Sequence, residues 1–140
     1  MGTEEKALLE NVSILLVDDH GDSRESVAAF LQGHGADVVA VDSAASALER
    51  LRKAATFDVV VSDLRMPDRD GYGLMREIRA GRGGRPDLPA IAITAYADLE
   101  GRDQALAAGF DDYLPKTSSL LLTRRILRVL GRLIPGEDGD

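Results

Sequence analysis

The stretch VSDLRMPDRDG, Val61 to Gly71, carries a hydrophobic run into a bare carboxylate. Phe57–Val61 (FDVVV) leads up to Asp63 with little polar interruption, the pattern of a strand covered on both faces. Met66-Pro67 then turns the chain, and Asp70 can cap a helix carrying Leu74, Met75 and Ile78. The local unit is strand, acidic loop, helix. A carboxylate left at the end of a buried strand calls for a chemical reason.

The same unit recurs on either side. Apolar runs fall at Val12–Val17 (VSILLV), Val38–Val41 (VVAV), Ala90–Thr94 (AIAIT) and, more briefly, Tyr113-Leu114. Between them the spacing predicts helices. Asp22 with Glu25 reads as a capping box before Val27, Phe30 and Leu31. Ser43 can cap SAASALERLRKAA, with Leu48 and Leu51 facing inward. Residues 98–108 form another helix, closed by Gly109, where a left-handed conformation is favoured. Residues 118–134 form the last. Five β-α units in alternation predict a doubly wound α/β domain. Residues 1–11 read as a flexible lead-in, 12–134 as the domain and 135–140 as a disordered acidic tail. AGRGGRPD (80–87) reads as a surface loop.

Composition narrows the function classes. A chain of 140 residues suits one domain, within the usual range of about 100–200. The formal charge of −7 argues against a sequence-independent grip on nucleic acid, which needs a basic face. Without cysteine there are no disulfides and no thiolate metal sites. No apolar run approaches the roughly 20 residues of a membrane span. MGTEEKALLENV is charged and unlike a signal peptide, so a cytoplasmic protein without membrane insertion is expected.

In an open parallel sheet, ligands gather beyond the carboxyl ends of the strands. The residues expected there are Asp18 and Asp19, Asp63, Thr94 with Ala95, and Lys116. Each has an ordinary role alone, since Asp after a strand often forms a turn. Together they need another account, because clustered carboxylates repel unless a cation offsets them. Oxygen ligands of this type suit Mg²⁺. An Asp nucleophile beside Mg²⁺, faced by Lys and Thr donors, matches the needs of phosphoryl transfer.

In these residues the chain resembles the receiver domain of two-component response regulators, over residues 12 to about 133. The resemblance rests on Asp18-Asp19, on DLRMPDRDG from Asp63 to Gly71, on Thr94-Ala95, and on Tyr113 and Lys116. It implies a flavodoxin-like (βα)5 fold, a parallel sheet of order 2-1-3-4-5. It implies that Asp63 accepts a phosphoryl group from a phosphohistidine. Asp19, Asp63 and the Arg65 carbonyl would bind Mg²⁺ directly, with Asp18 assisting through water. Lys116, Thr94 and the Ala95 amide would hold the phosphoryl oxygens, and Tyr113 would change rotamer with Thr94. The implied partners are a histidine kinase or phosphotransfer protein, met in the cytoplasm. The only catalysis implied is of the domain's own phosphorylation and dephosphorylation.

Two departures stand out. Thr117 follows the lysine where the family usually has a cis-linked proline, so a trans bond is expected. His20-Gly21 stands where Asn-Pro is frequent. His20 reads as a solvated loop residue, or as one that senses pH or touches a kinase. Arg65 and Tyr96, each two residues past a site residue, are expected to overhang the phosphoryl group.

The last helix is expected to bury Leu122, Ile126, Val129 and Leu133 and to expose Arg124, Arg125, Arg128 and Arg132. Its flank, Leu120, Leu127 and Ile134 with Leu130 bordering it, has two readings. Either the fourth helix covers it through Leu99 or Leu106, or it docks a partner or second copy together with the fourth helix and fifth strand. Other functions fit less well. A haloacid dehalogenase-type phosphohydrolase wants a second Asp where Arg65 stands. A degenerate receiver serving only as a binding module would not need the intact acidic set. The loop 80–87 lacks nucleotide-binding spacing. The six residues after the last helix are too few for a DNA-binding module, leaving a stand-alone regulator or a receiver of a longer chain.

Overall fold

The computed structural model describes residues 8–53, 56–66, 70–116 and 119–131. Five strands and five helices alternate: β1 Ser13–Val17, α1 Gly21–Gly33, β2 Asp37–Val41, α2 Ala44–Arg52, β3 Val59–Asp63, α3 Gly71–Arg79, β4 Ala90–Thr94, α4 Leu99–Ala108, β5 Asp112–Pro115 and α5 Ser119–Val129. The strands form one parallel sheet in the order β2-β1-β3-β4-β5. The expected doubly wound fold is present.

Side chains alternate across each strand, so a continuous apolar run feeds two cores. Leu15, Val17, Val60, Ala90 and Ala92 meet Leu48, Leu51, Leu74, Met75, Ile78 and Ala105 of α2, α3 and α4. Ile14, Leu16, Val59, Val61, Ile91 and Ile93 meet Val27, Leu31, Leu122, Ile126 and Leu127 of α1 and α5. The central strands β3 and β4 are buried throughout. The edge strand β2 is only half covered, with Asp37 and Ala40 exposed. At the other edge, Pro115 gives up a donor at little cost.

Three helix starts follow the sequence. Ser43, Asp70 and Asp98 accept the N–H groups of Ser46, Gly73 and Gly101 at 3.1, 2.8 and 2.7 Å. Gly109 closes α4 at φ 116°. The fourth start differs: α1 begins at Gly21 with His20 as cap and no side-chain cap, so Asp22 and Glu25 form no capping box. The residues around that start are tied instead to Asp18, which receives the His20 N–H and the Ser23 hydroxyl. Residues 8–11 also pack with the domain. Leu9 is wholly buried, and its N–H donates to the His34 carbonyl at 2.8 Å.

α5 is turned relative to the expected face. Leu127 is 2% exposed and belongs to the α1-side core, and Thr123 is wholly buried, whereas Val129 is half-buried. α4 does not cover Leu127, because α4 lies on the other side of the sheet, where Leu99 and Leu106 remain exposed. Arg125 is not a solvated charge either. It grips Asp112 of β5 through Nη1 at 2.7 and 2.9 Å. Arg132, Leu133 and Ile134 lie outside the described residues, as do Pro67 and Thr117. No helix among the described residues is long and apolar enough to cross a membrane.

Candidate functional site

The sheet register brings the sequence candidates together. Val17 pairs with Ser62, so Asp18 and Asp63 follow side by side. Asp63 pairs with Ile93, so Thr94 stands one residue further along. Thr94 pairs with Pro115, so Lys116 comes next, and its N–H donates to the Thr94 carbonyl at 2.9 Å. Asp63 and Thr94 are the last residues of their strands rather than the first beyond them. Both are buried, as is Asp18.

Close packing fixes where α3 begins. A Cβ on Gly71 would collide with the Asp63 carbonyl oxygen, so only glycine lets α3 start directly beneath the acceptor strand. The Gly71 N–H donates to the Leu64 carbonyl at 2.9 Å.

The charges are arranged around Lys116. Its ammonium lies 3.0 Å from Asp63 Oδ2 and 3.2 Å from Asp18. Burial works to lower its pKa, but the hydrogen bond and charge of Asp63, with Asp18 behind, outweigh burial and raise it. Burial likewise works to raise Asp18. The Ser23 hydroxyl at 2.6 Å, the His20 amide and Lys116 prevail, and hold that carboxyl below its ordinary value. Asp19 Oδ1 is shielded from solvent and receives no hydrogen bond among the described residues, a position that suits a cation. One donor atom from each of Asp18, Asp19, His20 and Asp63 lies within 4.8 Å of the others.

His20 and Ser23 were not among the sequence candidates for this site. The signal available for both was their place at the start of the helix that follows the acidic pair. Thr94 directs its hydroxyl into its own loop, within 3.4 Å of the Tyr96 carbonyl. The Tyr113 hydroxyl reaches the same carbonyl at 3.3 Å and accepts the Asp98 N–H at 3.1 Å, with its ring buried. Leu64, Arg65, Tyr72, Thr94 and Tyr96 line an adjoining cleft of about 290 Å³.

The family model for the response regulator receiver domain matches residues 14–126. The chain belongs to the response regulator receiver family. This receiver domain is 42% identical over 108 residues to an uncharacterised 14.6 kDa protein of Leptolyngbya boryana, covering 77% of this chain and 81% of that one. It is 37% identical over 107 residues to the transcriptional regulatory protein ZraR of Escherichia coli, covering 76% of this chain but 23% of ZraR. The receiver domain of the sensor histidine kinase PA1611 from Pseudomonas aeruginosa, solved with magnesium in its active-site cleft, superposes with a TM-score of 0.77. It is 35% identical and covers 86% of this chain and 98% of that one. Receiver domains are signalling domains, which sets the phosphohydrolase reading aside.

Proposed function

We propose that this receiver accepts a phosphoryl group on Asp63 and thereby changes the surface it offers to partners. The observation carrying this reading is a buried carboxylate 3.0 Å from a lysine ammonium, beside an aspartate oxygen that no described residue hydrogen-bonds. An Asp63 oxygen attacks the phosphorus of a phosphohistidine in line. A P–O bond forms as the P–N bond breaks, and the bonding pair leaves with the imidazole nitrogen. Lys116 follows the negative charge from the carboxylate to the phosphoryl oxygens, joined there by the Thr94 hydroxyl and the Ala95 amide. Mg²⁺, held by Asp19, Asp63 and the Arg65 carbonyl with Asp18 assisting through water, would neutralise the carboxylates and the incoming phosphate.

The partner implied is a histidine kinase or phosphotransfer protein. Readout would run through Tyr113 to the face made by α4, β5 and α5, where Leu99 and Leu120 are exposed. The test is incubation with Mg²⁺ and an acyl phosphate, followed by intact mass. One phosphate should add to the wild type and none to Asp63→Asn, with loss of labelling in EDTA. Equal labelling of the variant would refute the assignment.

A further inference from the structure

His20 sits inside the carboxylate cluster. Its N–H donates to Asp18 Oδ1 at 3.0 Å, which places the residue at the cap of α1. From there Nδ1 lies 3.2 Å from Asp19 Oδ1, 3.6 Å from Asp18 Oδ1 and 3.7 Å from Asp63 Oδ2. An octahedral ion held at about 2.1 Å sets neighbouring donors about 3.0 Å apart and opposed donors about 4.2 Å apart. The separation from Asp19 Oδ1 is close to the neighbouring spacing, and that from Asp63 Oδ2 lies between the two spacings. The Asp19 oxygen nearest the ring is the one that receives no hydrogen bond among the described residues. Lys116 contacts Asp18 and Asp63 rather than Asp19 or His20. The ring is 66% exposed, so an ion arriving from solvent meets it first.

We propose that His20 is a ligand of the cation site, and that its nitrogen shifts the site's preference from Mg²⁺ toward borderline divalent ions such as Ni²⁺ and Zn²⁺. The proposal rests on reading the cluster as a cation site and adds a donor and a selectivity to it. Mg²⁺ is a hard ion that favours oxygen and keeps its waters. Imidazole instead suits the later first-row ions, whose affinity rises from Mn²⁺ to Ni²⁺. A site of carboxylates alone gains less along that series. The competing account makes His20 a cationic neighbour of the carboxylates. It predicts the opposite sign, since removing a positive charge would tighten every ion alike.

The experiment is calorimetric titration of the untagged full chain with MgCl2, MnCl2 and NiCl2, without phosphodonor. It compares wild type with His20→Asn under identical buffer conditions. The ratio of Ni²⁺ to Mg²⁺ affinity should fall about tenfold or more in the variant, with Mg²⁺ affinity little changed. In parallel, ¹⁵N NMR of the imidazoles should show His20 shifting on addition of Zn²⁺. His34, at the far end of α1, serves as internal reference. An unchanged ratio with an unshifted His20 overturns the proposal, and so does equal tightening of all three ions. If no ion binds the wild type, the cation-site reading itself falls, a result distinct from either.

Discussion

Tyr113 keeps its ring buried because α4 offers it a residue without a side chain. A Cβ on Gly101 would collide with the Tyr113 hydroxyl oxygen, and the tyrosine is the group free to move. Gly101→Ala should therefore turn the ring outward and forfeit its bonds to the Asp98 N–H and Tyr96 carbonyl. The expected loss is about 1–2 kcal/mol, read by urea unfolding, and ring NMR should show new solvent exposure. Persistent contacts between the ring and residue 101 would contradict this. Arg65 and Tyr96 line the cleft beside Thr94 with exposed side chains. Replacing both with Ala should speed dephosphorylation of Asp63 several-fold by admitting the in-line water. An unchanged decay rate would show that neither residue screens the phosphate.

At the level of the element, α5 shows how a helix's face is chosen by what it packs against. Leu127 reaches the core shared with α1, while Leu120 is 56% exposed one side over. Leu127→Ala should cost about 2–5 kcal/mol in denaturant unfolding. Leu120→Ala should stay within about 0.5 kcal/mol. Similar losses for the two would mean that α5 sits differently on the sheet. Arg79, ending α3, donates to the carbonyls of Pro86, Leu88 and Gly109, and so ties two loops to one helix end. Among the described residues, Leu120 rather than Leu127 is the large apolar side chain of this helix that stands exposed.

Across the whole molecule, three strand ends bring carboxylates and an ammonium to the carboxyl end of the sheet, where a bound cation would offset the repulsion among the carboxylates. Mg²⁺ at about a hundred times its dissociation constant should stabilise the fold by about 2.7 kcal/mol. The melting temperature should then rise by several degrees over that in EDTA. Asp19→Asn should abolish most of this rise, and should melt higher than wild type in EDTA because one repelling charge is gone. A variant that still responds fully to Mg²⁺ would remove Asp19 from the ion's shell.

Alternation of apolar runs with capped helices was enough to specify five β-α units, because burial on both faces of a parallel sheet writes an unbroken hydrophobic run. The acidic pair, Asp63, Thr94 and Lys116 were equally legible, since strand ends converge whatever the loops between them do. What the sequence left open depended on neighbours distant in the chain. His20 is solvent-exposed as its loop position suggested, but its place against Asp18 and Asp63 was set by β1 and β3. Asp22 looked like a cap until the residues before it were drawn to a buried carboxylate. Leu127 looked peripheral because helical spacing gives the width of an apolar arc but not its direction. Only the packing of α1 and α5 on the same side of the sheet decided which part of that arc is core.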